Sequence, residues 1–130
     1  MNIIKDVNEA VDLILEQKPL VIFQGSSEWG PRALGNRSIL FDPRNKNAKD
    51  IVNEFKKREW WRPLADNSCR IQTVSKEQNK EYYNLLNAFY SKTNVPLLLN
   101  TSFNLAGYPI VEKIEDITHL DIPFQDIYLP

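Results

Sequence analysis

The sequence predicts a mixed α/β (α+β) layer domain in which helices pack on a sheet. Three observations predict it. Short apolar runs alternate with stretches of helical periodicity, the runs stop at glycine or Asp-Pro, and the helical stretches keep their apolar residues on one stripe. No internal repeat, low-complexity tract or linker appears in the 130 residues, so a single domain over 1–130 is expected.

The elements follow in order. Residues 7–17 read as a helix, with Val7, Ala10, Val11 and Ile14 as its stripe and Asp6 as its N-cap. Leu-Val-Ile-Phe-Gln at 20–24 is a buried strand that Gly25 stops. Residues 37–41 form a second strand, ended by Asp42-Pro43. Residues 46–57 form a helix striped by Ala48, Ile51, Val52 and Phe55. A third strand is expected at 69–74, and a helix at 79–91 with Tyr82, Leu85, Leu86 and Phe89 facing inward. Val-Pro-Leu-Leu-Leu at 95–99 reads as a fourth strand, and Pro96 puts it at an edge or a strand start. A short helix at 113–119 and a last strand at 125–129 complete the chain.

Composition removes several classes. Hydrophobic residues at 42% and charged residues at 25% exclude a disordered tail, a collagen-like rod and a coiled coil. No apolar run is long enough to span a membrane. Asp6, Glu9, Asp12 and Glu16 break up residues 1–25, which therefore lack a secretory signal's pattern. The single cysteine, Cys69, excludes an internal disulfide, and a reduced, cytoplasmic protein is expected. The net charge of −1 hides a segregation: residues 31–80 hold 12 of the 16 Lys and Arg, including all six arginines, and carry a net +6. An anion-binding surface and a merely solvated basic face explain that excess equally well.

Familiar catalytic sets are missing. His119 is the only histidine, so no histidine metal cage can form, and Cys69 beside Arg70 reads as a packed thiol. Three polar clusters remain. Gly25-Ser-Ser-Glu-Trp-Gly30-Pro-Arg32 has the glycine spacing of a phosphate-binding loop but Pro-Arg where Lys-Ser/Thr would stand, so it is not a Walker loop. Its backbone N–H groups could still face an anion. Lys56-Lys57-Arg58-Glu59-Trp60-Trp61-Arg62-Pro63 packs four cations and two indoles into eight residues. Guanidinium forks and ammonium points match phosphate oxygens, while a helix end with a Trp-Pro turn is the bland alternative. Asn100-Thr-Ser-Phe-Asn104 follows an apolar strand, where α/β sheets bind ligands, although the same side chains also build turns.

These stretches carry a resemblance. Gly30-Pro-Arg-Ala-Leu-Gly-Asn-Arg-Ser-Ile-Leu40, Lys56 to Pro63, Arg70-Ile-Gln-Thr-Val74, Pro96 to Asn104 and Gly107-Tyr-Pro-Ile-Val111 closely resemble the C-terminal domain of the O-carbamoyltransferases, in order from about Gln24 to Asp116. That family includes nodulation-factor, aminoglycoside and cephalosporin carbamoyltransferases. The resemblance implies a trimmed YrdC-like fold that joins ATP, with magnesium, and carbamoyl phosphate into carbamoyl-adenylate. It implies transfer to a hydroxyl acceptor by a Kae1-like, metal-bearing partner, and no tightly bound metal in this chain. Arg32, Lys56, Arg62, Arg70 and Ser102 match the family's residues that hold nucleotide and carbamoyl phosphate, with Arg32, Lys56 and Arg62 taken as the reacting set. Arg37, Arg58, Asn100 and Asn104 complete the candidate ligand-binding residues. Two departures stand out. Several dozen residues that the family places between Trp-Arg-Pro and the strand near Arg70 are missing, and the Kae1-like half is not in this sequence. The expectation is a carbamoyl-adenylating module with a separately encoded partner. The alternatives are a nucleotide-binding regulatory module without turnover and, less favoured at near-neutral charge, an RNA-binding module.

Overall fold

The structure, a computed structural model, describes residues 1–29, 32–62, 71–121 and 126–130. Its elements are β1 (Asn2–Ile4), α1 (Val7–Leu15), β2 (Leu20–Phe23), β3 (Arg37–Phe41), α2 (Ala48–Phe55), α3 (Lys80–Thr93), β4 (Leu99–Ser102), α4 (Ile114–Ile117) and β5 (Asp126–Tyr128). The strands form one mixed sheet in the order β1-β5-β2-β3-β4. β5 runs parallel to both β1 and β2, whereas β3 is antiparallel to β2 and β4.

Local chemistry accounts for the helix starts. The Asp6 carboxylate accepts from the backbone N–H groups of Asn8 at 2.8 Å and Glu9 at 2.9 Å, and so caps α1. The Asn79 side chain accepts from Tyr82 N at 3.1 Å and caps α3, which ends at Asn94 in the left-handed region. α2 ends at its C-cap, Lys56, and the next residue, Lys57, takes the left-handed conformation with φ 51°.

The sheet is covered on both faces, so β2 reads as an unbroken apolar run, and every residue of β3 is buried, Arg37 and Ser38 included. One face carries α1 and α3, where Leu20, Ile22 and Leu40 meet Ala10, Val11, Ile14, Tyr82, Leu85 and Phe89. On the other face Val21, Ile39 and Ile127 meet Phe55, Phe103, Val111 and Ile117, while Phe41 packs on Ala48 and Val52 of α2. The helical stripes are thus core, as their spacing predicts.

Two strand expectations need correction. Residues 71–74 form no strand, and Ile71 stands exposed there; positions 69–70 lie outside the described residues. The fourth strand is Leu99–Ser102, not 95–99. Its partner sets that limit: Leu99 pairs with Phe41, after which β3 runs into Asp42-Pro43 and offers no further ladder. Val95 and Leu98 instead pack against the α1/α3 core from the connecting segment. β4 does lie at a sheet edge, as Pro96 suggests. The sequence reading missed β1, a three-residue edge strand of which only Ile4 is buried.

Candidate functional site

The site gathers where β4 leaves the sheet. Lys56 caps the C-terminus of α2, and its stem runs beneath the end of β4, leaving the residue only 4% exposed. Its Nζ donates to Ser102 O at 2.7 Å and Asn104 Oδ1 at 3.1 Å, with Ser102 Oγ at 3.3 Å and Thr101 Oγ1 at 3.4 Å. The Ser102 hydroxyl donates to Asn104 Oδ1 at 2.6 Å. Asn104 Nδ2 in turn donates to Tyr108 O at 2.7 Å and Leu105 O at 3.2 Å, which fixes the turn after β4. Burial pushes the Lys56 ammonium down to about 7, and the neighbouring Arg58 charge adds to the effect.

A cavity of about 500 Å³ opens beside this cluster, lined by Ser27, Glu28, Ser102, Asn104, Tyr108, Pro109, Ile110 and Glu112. Ser102 and Asn104 are therefore shared between the buried ammonium and the open space. Asn100, also on β4, turns inward and donates from Nδ2 to Ala33 O at 2.8 Å, tying the 32–36 loop to the sheet.

That loop is held from within. Glu28 Oε1 accepts from Leu34 N at 2.7 Å and Asn36 N at 2.8 Å, and Gly35 N donates to Ser38 Oγ at 2.9 Å. The backbone N–H groups that a glycine-rich loop could turn toward an anion are taken at 34–36 by a carboxylate and a hydroxyl of the protein itself. Gly30 and Pro31 lie outside the described residues.

The candidate cations part company. Arg37 is 3% exposed and donates to four backbone carbonyls: Gln24 at 2.6 Å, Asn36 at 3.0 Å, Gly25 at 3.1 Å and Glu112 at 3.0 Å. Its guanidinium also lies 3.6 Å from the centre of the Phe23 ring. In this arrangement Arg37 binds loops together rather than facing open space. Arg44 closes on the buried Asp42 carboxylate, which it holds below its ordinary range. Arg58 donates from Nε to Asn53 Oδ1 and is partly buried, which lowers its pKa. Arg62 is exposed, pairs with Glu59 at 2.6 Å and lies 5.6 Å from the Trp61 ring centre. Arg32 is exposed on its loop with no ion pair among the described residues, and Arg70 lies outside them. Lys56, Ser102 and Asn104 are brought into direct contact. The fields of Arg58 on Lys56 and of Arg62 on Arg58 place those two cations nearby.

Sequence reasoning missed Glu28, Asn53, Tyr108 and Glu112. Nothing in the pattern flags Asn53, which sits in a helix one turn before Lys56 and is nonetheless 1% exposed. Among the described residues, no group of three or more His, Cys, Asp or Glu side chains is placed to hold a metal ion.

Comparison with known proteins gives a consistent answer. A family model described as carbamoyltransferase C-terminus matches residues 11–66 and 65–124. Nodulation protein NolO of Bradyrhizobium diazoefficiens is 38% identical over 138 residues, covering 72% of this chain and 25% of that protein. Nodulation protein U of Sinorhizobium fredii is 30% identical over 142 residues, covering 78% of this chain and 25% of that protein. A protein of Methanocaldococcus jannaschii is 32% identical over 154 residues, covering 86% of this chain and 30% of that protein. The chain spans about a quarter of the length of such relatives. Alignments longer than the part of the chain they cover mean that the relatives carry segments with no counterpart here. The two matched blocks meet at residues 65 and 66, which puts an interruption there.

Proposed function

The chain belongs to the carbamoyltransferase C-terminus family, and from that premise we propose that it binds ATP and carbamoyl phosphate and forms carbamoyl-adenylate, which a separate Kae1-like subunit passes to a hydroxyl acceptor. The observation that supports this reading is that Ser102 and Asn104, which line a cavity of about 500 Å³, also hold the buried Lys56 ammonium behind it. Two phosphorylated substrates repel each other, so their joint site needs positive charge that is already in place. Lys56 places an ammonium directly behind Ser102 and Asn104, brought down to about 7 by burial, and phosphate bound beside it would favour its charged form. Arg58 and Arg62 supply guanidinium forks from the adjoining loop, and Arg32 another from the 25–36 loop. Such groups favour negative charge that develops as pyrophosphate departs, at no cost in reorganisation. Magnesium would arrive on the nucleotide's phosphates as part of the substrate.

By mass balance, each carbamoyl-adenylate made from the two substrates consumes one water and releases one pyrophosphate and one phosphate. The test mixes the protein with ATP, carbamoyl phosphate and magnesium, with and without a Kae1-like candidate subunit, and follows both products. Equal release of the two supports the reading, and no pyrophosphate in either mixture overturns turnover.

A second reading, nucleotide binding without turnover, is favoured by the interruption at 65 and 66 and by the engagement of Lys56 and Arg37 with protein oxygens. Calorimetry with a non-hydrolysable ATP analogue separates the two: saturable binding without product selects the second.

A further inference from the structure

We propose that Asn53 is a positioning residue, the buried amide that orders the 58–62 loop and thereby aims Arg58 and Arg62 at the anion site, an inference that rests on the nucleotide-binding reading above. The loop presents its side chains outward: Trp60 and Trp61 are 78% and 58% exposed, and Arg62 is exposed as well. Little apolar burial of its own indoles holds it in place.

Among the described residues, one side chain of α2 bonds both ends of the loop. Asn53 Nδ2 donates to Arg62 O at 2.8 Å and, more weakly, to Trp60 O at 3.4 Å. Asn53 Oδ1 accepts from Arg58 Nε, and the backbone N–H of Arg58 donates to Asn53 O at 3.0 Å. One side chain thus fixes the loop's start through a guanidinium and its end through a carbonyl. A primary amide suits both roles, because it presents an acceptor and two donors on one rigid plane. A carboxylate of the same shape would keep the Arg58 contact but set a second oxygen against the two carbonyls. The left-handed turn at Lys57 brings the chain back over Asn53, and the Glu59–Arg62 ion pair closes the loop on itself. Lys56, one turn along the helix from Asn53, belongs to the same rigid piece. Cations on the helix and on the loop are therefore registered to each other through this amide.

The test uses the whole chain in a Trp29→Phe background, so that Trp60 and Trp61 are the only indoles. Asn53→Ala, Asn53→Asp and Ile51→Ala are compared by circular-dichroism melting, time-resolved fluorescence anisotropy and calorimetry with a non-hydrolysable ATP analogue. Ile51→Ala, from the same helix but packed with Phe41 and Val52, controls for lost stability alone. The expected result is a new fast anisotropy component in both Asn53 variants and not in Ile51→Ala. Affinity should fall roughly ten-fold in Asn53→Ala, as when charge-assisted contacts lose their alignment. Unchanged anisotropy in the Asn53 variants overturns the proposal, as does failure of both to fold while Ile51→Ala folds, because the amide would then serve the core rather than the loop. Absence of nucleotide binding by the parent protein would overturn the function instead, and the anisotropy result would still decide the role of Asn53.

Discussion

Replacing Lys56 with methionine removes a charge from beneath Ser102 and keeps most of the unbranched stem, so its effect should depend on pH in a calculable way. In the fold, burial brings the Lys56 ammonium down to about 7 from its ordinary 10.5. The unfolded chain keeps that proton until about pH 10.4. Between the two values the unfolded state binds one proton more than the native state, so stability rises with pH. The slope is at most about 1.4 kcal/mol per pH unit, and the whole window is worth up to about 4–5 kcal/mol. The four oxygens around Nζ favour the charged form and narrow the window, which makes that figure an upper bound. Below pH 7 both states hold the proton and the contribution to the slope vanishes. Urea unfolding of wild type and Lys56→Met at several pH values from 6 to 10 checks this, because the other lysines and the tyrosines cancel in the difference. Wild-type stability minus variant stability should be flat below pH 7 and climb above it. A difference that stays flat, or falls, between pH 7.5 and 9.5 refutes the reasoning that Lys56 is desolvated in the native state.

Three further outcomes follow from the same geometry. Gly35→Ala should destabilise the fold by about 2–4 kcal/mol in urea unfolding, because φ is +97° and a Cβ there would lie 2.3 Å from Cδ1 of the buried Tyr82 ring. Arg37→Lys should cost about 3–5 kcal/mol, since an ammonium cannot reach four carbonyls spread around a planar fork, and a cost under about 1 kcal/mol would show that those bonds are not what fixes the loops. Arg32→Ala and Arg62→Ala, at exposed positions, should leave the melting temperature unchanged and each weaken binding of an ATP analogue by about 1–3 kcal/mol in calorimetry; an arginine whose removal leaves affinity intact lies outside the site.

The fold was legible wherever periodicity and punctuation agreed. α1, α2 and α3 announce themselves by stripes that are mostly buried, with Val7, Ile51 and Leu86 half-buried at their margins, and Asp6 caps where an aspartate before an apolar stripe should. β4 was misplaced because its position depends on where β3 stops, a tertiary fact, while the apolar run 95–98 has a different use against α3. The site was legible in residue type and not in role. Lys56, Ser102 and Asn104 lie 46 and 48 positions apart in the chain yet are bonded to one another. Charge counting treated six arginines as equivalent, although Arg37 and Arg44 are committed to protein oxygens. A strand arginine facing carbonyls and a loop arginine facing solvent look alike in sequence, because only the backbone's path decides which oxygens surround the guanidinium.

The interruption at residues 65 and 66 bears on the ligand more than on the core. The three apolar clusters draw on strands and helices on both sides of it, so the layers close through contacts between distant parts of the chain. What flanks the interruption is different in kind: Trp60, Trp61 and Arg62 before it and Ile71 after it are exposed. The family model breaks at this point, beside the loop that Asn53 holds. The exposed cation-bearing loop is open to water, which screens its charges and weakens every electrostatic contact a phosphate would make there. The trimmed chain should therefore keep its fold and its cationic geometry while holding phosphates less tightly and with a steeper dependence on salt than a relative that carries a further segment there.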